Sequence, residues 1–114
     1  MYLDETSVTA ERAIELVESG QVWLLDVRER FEWDEGHIRA AHLIPLGELE
    51  SRQQEIPEDQ QILVVCHVGG RSQLVTEALL RADYPAANIL GGMDAWKQSG
   101  GSVVSPDETE GRTA

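Results

Sequence analysis

Ile62-Leu63-Val64-Val65 is an uninterrupted aliphatic run that ends in Cys66-His67-Val68-Gly69-Gly70-Arg71-Ser72. It leads straight into Leu74, Val75, Ala78, Leu79 and Ala82, which recur at helical spacing until Pro85. Four consecutive aliphatic residues with no polar alternation fit a strand buried on both faces, the pattern of a central parallel strand. A strand, a short Gly-rich turn and a helix in direct succession form the first half of a βαβ crossover. The rest of the chain repeats that alternation. Thr9 or Ser7 can cap a helix with apolar positions Ala10, Ala13, Ile14 and Val17, closed at Gly20. Val22 to Val27 reads as a second buried strand, and Arg28 to Glu35 as a short helix or turn ending at Gly36. Ala41 to Ile44 reads as a strand stopped by Pro45, and Gly47 to Ile56 as a surface helix closed by Pro57. Asn88-Ile89-Leu90 is a last strand and Met93 to Gln98 a last helix. The expectation is one α/β domain over 1–98, with a mainly parallel sheet and helices on both faces. A Gly-, Ser- and acid-rich tail over 99–114 is expected to be flexible.

The length of 114 residues fits one such domain, and 41% apolar residues suffice for a core. Nine basic against 21 acidic residues give a net charge of −12, which argues against nucleic acid or an anionic membrane as a partner. The single cysteine, Cys66, excludes an internal disulfide, a CxxC redox pair and a zinc cluster. Met1-Tyr2-Leu3-Asp4-Glu5 has neither the basic nor the apolar stretch of a secretory signal. No apolar run approaches the roughly 18 residues of a membrane span. A soluble, cytoplasmic protein is the default expectation.

In open parallel sheets, ligands bind beyond the carboxyl ends of strands, which directs attention to the residues after Val65. A lone cysteine is ordinarily a small buried hydrophobe. The position of Cys66 favours another reading. The following helix N-terminus presents unpaired N–H groups and partial positive charge. Gly69 and Gly70 can turn successive N–H groups inward as an anion nest, and Arg71 adds a permanent cation. Each favours thiolate over thiol. Protein tyrosine phosphatases place five residues between cysteine and arginine, around a tetrahedral oxyanion; here four residues separate Cys66 from Arg71. The tighter ring fits one added sulfur atom better than a phosphoryl group. A nucleotide P-loop would need Gly-Lys-Ser/Thr, which is absent.

Cys-x-x-Gly-x-Arg-Ser at 66–72 resembles the active-site loop of rhodanese domains, the thiosulfate-type sulfurtransferases. Leu25-Asp26-Val27-Arg28, Glu35-Gly36-His37-Ile38, Ala41, Ile44-Pro45-Leu46 and Gly91-Gly92-Met93-Asp94-Ala95-Trp96 extend the resemblance, in order, over about residues 5–98. Two departures stand out. Arg39-Ala40 stands where the family more usually has Pro-Gly, and the loop carries no second basic residue beyond Arg71.

The resemblance implies a rhodanese-like fold with a central sheet of about five strands. It also implies sulfur transfer from thiosulfate or a related donor to cyanide or a thiol through a Cys66 persulfide, with no metal or organic cofactor. His67, Val68, Gly69, Gly70, Arg71 and Ser72 would surround the substrate. Within that set, Arg71 can face the pocket or salt-bridge an acid and brace the loop. Ser72 reads as the helix N-cap and His67 as a rim residue. The resemblance makes Asp26 and Arg28 structural. His37 reads as a turn histidine bonding the backbone, His42 can face either way, and Trp23, Trp33 and Trp96 as packing. Two alternatives remain: a non-catalytic sulfur-carrier or interaction module, which the intact loop disfavours, and a phosphatase or arsenate reductase, which the loop length disfavours. The acidic total leaves room for a basic protein, carrying or accepting a persulfide, as partner.

Overall fold

A computed structural model describes residues 2–106. The tail expected to be flexible therefore lies partly outside the described residues, from 107 onward. Five strands run parallel in one sheet: β1 (Ser7–Val8), β2 (Val22–Asp26), β3 (Ala41–Leu43), β4 (Gln61–Val65) and β5 (Ala86–Ile89), in the order β1-β5-β4-β2-β3. The helices are α1 (Ala10–Ser19), α2 (Arg30–Asp34), α3 (Gly70–Arg81) and α4 (Gly92–Gln98).

The aliphatic run forms the central strand, and the two-residue period of a strand explains why it has no polar alternate. Leu63 and Val65 face a cluster containing Ala13 and Leu16 of α1, Trp33 of α2, and Met93 and Trp96 of α4. Ile62, Val64 and Cys66 face the opposite cluster, with Val75 and Leu79 of α3 and Ile56. Both faces are therefore covered by helices. After β2 the chain steps outward to β3, and after β4 it steps the other way to β5. The order reverses between β2 and β4, and at such a switch point the two connections diverge and leave a crevice. Asp26 pairs with Val65 there, so Cys66 enters the crevice directly.

Local signals account for most element ends. Thr9 accepts a hydrogen bond from the Arg12 N–H, and Gly20 ends α1 in the left-handed region at φ 75°. Glu29 and Glu32 form a reciprocal capping box on α2.

Three expectations need correction. Gly47 to Ile56 is not a helix but two 3₁₀ turns, Leu46–Glu48 and Gln53–Glu55. The segment follows Pro45 and contains Gly47, and within it only Leu49 and Ile56 are apolar, so ordinary α-helix has little to hold it. Its turns are linked by Arg52, which salt-bridges both Glu48 and Glu55. Ser72 is not the N-cap of α3; Gly69 is, at φ 115°, a conformation closed to most side chains. The last strand is Ala86–Ile89 rather than 88–90, and the pair Ser7–Val8 adds an edge strand too short to carry a sequence pattern.

Beyond α4, the Trp96 indole N–H donates to the Ser102 carbonyl at 3.0 Å. His37 and Val104 exchange backbone hydrogen bonds at 3.0 and 2.7 Å. Among the described residues no helix is long and apolar enough to cross a membrane, and no cluster of His, Cys, Asp or Glu could hold a metal ion.

Candidate active site

Cys66 leaves the end of β4 with its side chain buried at 1% exposure. Its Sγ accepts the Gly69 N–H at 3.1 Å and the Ser72 N–H at 3.3 Å, and the Ser72 hydroxyl oxygen lies 3.3 Å away. The sulfur therefore sits on the N-terminal turn of α3, where amides point outward and the helix dipole is positive. Burial pushes the thiol pKa up. The Ser72 hydroxyl, then the amides of Ser72, Gly69 and Arg71, outweigh it and hold the thiol below its ordinary value. The arrangement suits a sulfur anion.

Another helix end clamps the loop from behind. Met93 N–H donates to the Cys66 carbonyl at 2.8 Å and Asp94 N–H to the His67 carbonyl at 3.2 Å. Gly92 makes this approach possible: a Cβ there would collide with both carbonyls, and its φ is 59°. The Gly91-Gly92 pair thus lets α4 dock directly on the backbone of the Cys66 loop.

Arg71 braces the loop. Its Nη1 donates to Glu32 Oε1 at 2.7 Å and its Nη2 to Oε2 at 2.8 Å, a fork–fork pair linking α3 to α2. The charge remains beside Cys66, but both tips of the guanidinium are committed to Glu32. The Arg71 hydrogen bonds hold the Glu32 carboxyl at about 2. A depressed carboxyl contributes its stability in full above the ordinary value of 4.5 and loses it as pH falls toward 2. The wild-type unfolding midpoint should decline across that acid window. A Glu32→Gln variant should lose about 1 kcal/mol at neutral pH and show a shallower acid decline, read by thermal melts from pH 7 to 2.

The other loop residues divide plainly. His67 is more than half exposed and its Nε2 lies 3.1 Å from Asp94 Oδ1, so it sits on the rim. Val68 projects outward at 62% exposure, while Gly69 and Gly70 supply backbone only. Ser72 is fully buried and its hydroxyl contacts Cys66, the Gly69 carbonyl and Asn88. A cleft beside the loop is lined by Arg28, Phe31, Glu32, His67, Met93 and Lys97.

Asp26 and Arg28 are structural neighbours of the crevice, buried at 0% and 5% exposure and paired at 2.9 Å. His37 is buried, its Nδ1 3.1 Å from the Trp33 carbonyl and its ring stacked on Trp33 at 3.6 Å. His42 faces outward and stacks on Trp23 at 4.3 Å. Trp33 and Trp96 lie in the core.

A family model described as the rhodanese-like domain matches residues 9–99. The chain belongs to the rhodanese-like domain family. A protein named sulfurtransferase from Allochromatium vinosum is 31% identical over 93 residues, covering 81% of this chain and 87% of that one. A putative sulfur carrier protein, YrkF, from Bacillus subtilis is 36% identical over 74 residues, covering 64% of this chain but 40% of its own length. The chain therefore spans less than half of that relative. The crystal structure of a rhodanese-related protein from Thermoplasma volcanium superposes with a TM-score of 0.81 at 31% identity, covering 86% of this chain and 96% of the other.

Sequence reasoning about this rhodanese-like domain brought Cys66 through Ser72 into view but missed Glu32, Asp94 and Asn88. Glu32 stands 39 positions from Arg71, and Asp94 27 positions from His67. Only the strand order shows that these meet. Asn88 left one local signal, a carboxamide on a strand face that is otherwise apolar.

Proposed function

We propose that this rhodanese-like domain is a sulfurtransferase that carries a sulfane sulfur on Cys66. The Cys66 thiolate attacks the outer sulfur of thiosulfate or a related donor. The donor S–S bond breaks, and sulfite leaves with the bonding pair. An acceptor, cyanide or a thiol, then attacks the terminal sulfur of the Cys66 persulfide and returns Cys66 as thiolate. One observation carries this reading: two backbone N–H groups aim at the Sγ from a loop with four residues between cysteine and arginine. Amides fixed at a helix N-terminus hold the Cys66 thiolate that attacks the donor, as an oxyanion hole holds oxygen. The names of the Allochromatium and Bacillus relatives support sulfur transfer or carriage. His67 and Val68 stand at the mouth, where they would select the donor, and Arg71 acts by holding the loop against α2. The scheme needs neither metal nor organic cofactor.

Steady-state kinetics test it. Double-reciprocal plots at several acceptor concentrations should be parallel, as two half-reactions through a covalent intermediate require. Intersecting lines would overturn the covalent route, and Cys66-dependent hydrolysis of an aryl phosphate with no sulfur transfer would replace it.

The acidic total adds a second expectation. Thiosulfate is a dianion approaching a chain of net charge −12, so the long-range field opposes the encounter and salt weakens that opposition. The rate with thiosulfate should hold or rise between low and moderate salt. A steep fall would show that the field at the loop is positive. A protein partner would fit the mouth differently, because Phe31 and Val68 are 68% and 62% exposed. Apolar side chains in such a position favour a macromolecular surface over a small anion.

A further inference from the structure

We propose that Asn88 is a positioning residue: its amide decides whether the Ser72 hydroxyl proton faces Asn88 or the Cys66 sulfur, and it turns over when that sulfur becomes an anion. The inference deepens the preceding one and rests on Cys66 being the reacting sulfur. Asn88 lies on β5, paired in register with Val64, and its side chain points to the α3 face of the sheet. The preceding residue on that face is the buried Ala86. A carboxamide is disfavoured in strands and costs free energy to bury unless it is hydrogen-bonded.

Its partner is Ser72. The Ser72 hydroxyl donates to Asn88 Oδ1 at 2.6 Å, the shortest contact of that hydroxyl; the Gly69 carbonyl follows at 3.2 Å and Cys66 Sγ at 3.3 Å. A hydroxyl carries one proton and two lone pairs. While Asn88 takes the proton, a lone pair faces the sulfur, which suits a thiol donating its own proton to Ser72. A thiolate needs the reverse. The hydroxyl must rotate and donate to sulfur, and Oδ1 would then face a bare oxygen lone pair. Rotating the Asn88 amide by half a turn places Nδ2–H there instead and restores the bond. No covalent bond changes and every proton stays on its own atom, apart from the one Cys66 releases.

Asparagine presents both an acceptor and a donor on one rotatable group, which neither aspartate nor an apolar residue does. Its other amide atom also has somewhere to turn. Asn88 lines a polar cleft of about 190 Å³ together with Thr6, Ser7, Gln73, Thr76 and Glu77. The other charged groups around the loop are His67 with Asp94 on α4, Arg71 with Glu32 on α2, Arg28, Glu35 and Lys97 along the cleft at the mouth, and Glu77 on the α3 side.

The pH dependence of Cys66 alkylation by iodoacetamide reads the sulfur directly, with one cysteine in the chain and no sulfur donor present. Asn88→Asp fixes an acceptor against Ser72. The alkylation midpoint should rise by about one pH unit, slowing the reaction about tenfold below that midpoint. Asn88→Leu removes the acceptor of the thiol state and the donor of the thiolate state together, so its midpoint should move by less than half as much as that of Asn88→Asp. In a Ser72→Ala background the effect of Asn88→Asp should shrink to less than half, since the hydroxyl that transmits it is gone.

An unchanged midpoint in Asn88→Asp, or a rise in Asn88→Leu equal to that in Asn88→Asp, overturns the proposal. So does an aspartate effect that persists in full without Ser72, which would mark a bare charge effect. If Asn88→Leu fails to fold, the effect of Asn88→Asp measured with and without Ser72→Ala decides alone. A failure of thiosulfate turnover with this cycle intact would remove the donor assignment and leave Asn88 in place.

Discussion

Asp26→Ala should be the most destabilising single substitution near the crevice, by about 3–5 kcal/mol, because it leaves a buried guanidinium without its counter-charge. Asp26 is fully buried at the carboxyl end of β2. It accepts from the Arg28 backbone N–H at 3.0 Å and from Nε and Nη2 of the same residue at 2.9–3.1 Å. Arg28 continues the connection by donating to the Gly36 carbonyl at 3.0 Å and the Glu32 carbonyl at 3.3 Å. One arginine thus ties the end of a central strand to the middle and the C-terminal exit of α2, the helix that in turn holds Arg71. Removing the acid strands the cation and slackens that chain. A loss of this size should lower the melting temperature by more than about 10 °C for a domain of this length, measured by calorimetry. A fall of only a few degrees would mean that water or the two carbonyls can satisfy Arg28 unaided.

Cys66→Ser should abolish sulfur transfer, with turnover reduced by about 10⁴-fold or more, and should leave the fold intact. The substitution is nearly isosteric, and a hydroxyl can still accept from the Gly69 and Ser72 amides that now meet the sulfur. It cannot form a persulfide, so the covalent route is lost while binding and the anion cradle remain. Thiocyanate production in the presence of thiosulfate and cyanide measures the loss. Retained melting temperature and near-ultraviolet dichroism would separate it from unfolding. Appreciable residual turnover would mean that the donor and acceptor react while both are bound, without sulfur passing through the chain.

The sequence showed a large share of this architecture for a physical reason. Ile62 to Val65 has no polar alternate and must be buried on both faces, so β4 is central whatever the order of the other strands, and the residues after it lie at the strand's carboxyl end. Motifs around Asp26, Gly36 and Gly91 then located the loops that meet there. The tertiary partners stayed hidden. Whether Arg71 faced the pocket or an acid depended on where α2 places Glu32, which no local pattern encodes. Ser72 looked like a cap because a serine preceding a helical period ordinarily is one. Gly69 took that place because its left-handed backbone starts the helix three residues earlier, and the Ser72 hydroxyl was freed to face Cys66 and Asn88. The segment from Gly47 to Ile56 misleads for the opposite reason: it has a helical composition but only Leu49 and Ile56 to anchor an apolar face, and its turns are held by Arg52 bridges that only the folded chain reveals.

That Cys66 itself carries the transferred sulfur is tested most directly by intact mass spectrometry after incubation with thiosulfate, desalted without reductant. One adduct of about 32 Da is expected, discharged by cyanide as thiocyanate and absent from Cys66→Ser, as a single covalent intermediate requires. An unmodified mass during active turnover, or an adduct that survives in Cys66→Ser, would show that the sulfur travels by another route.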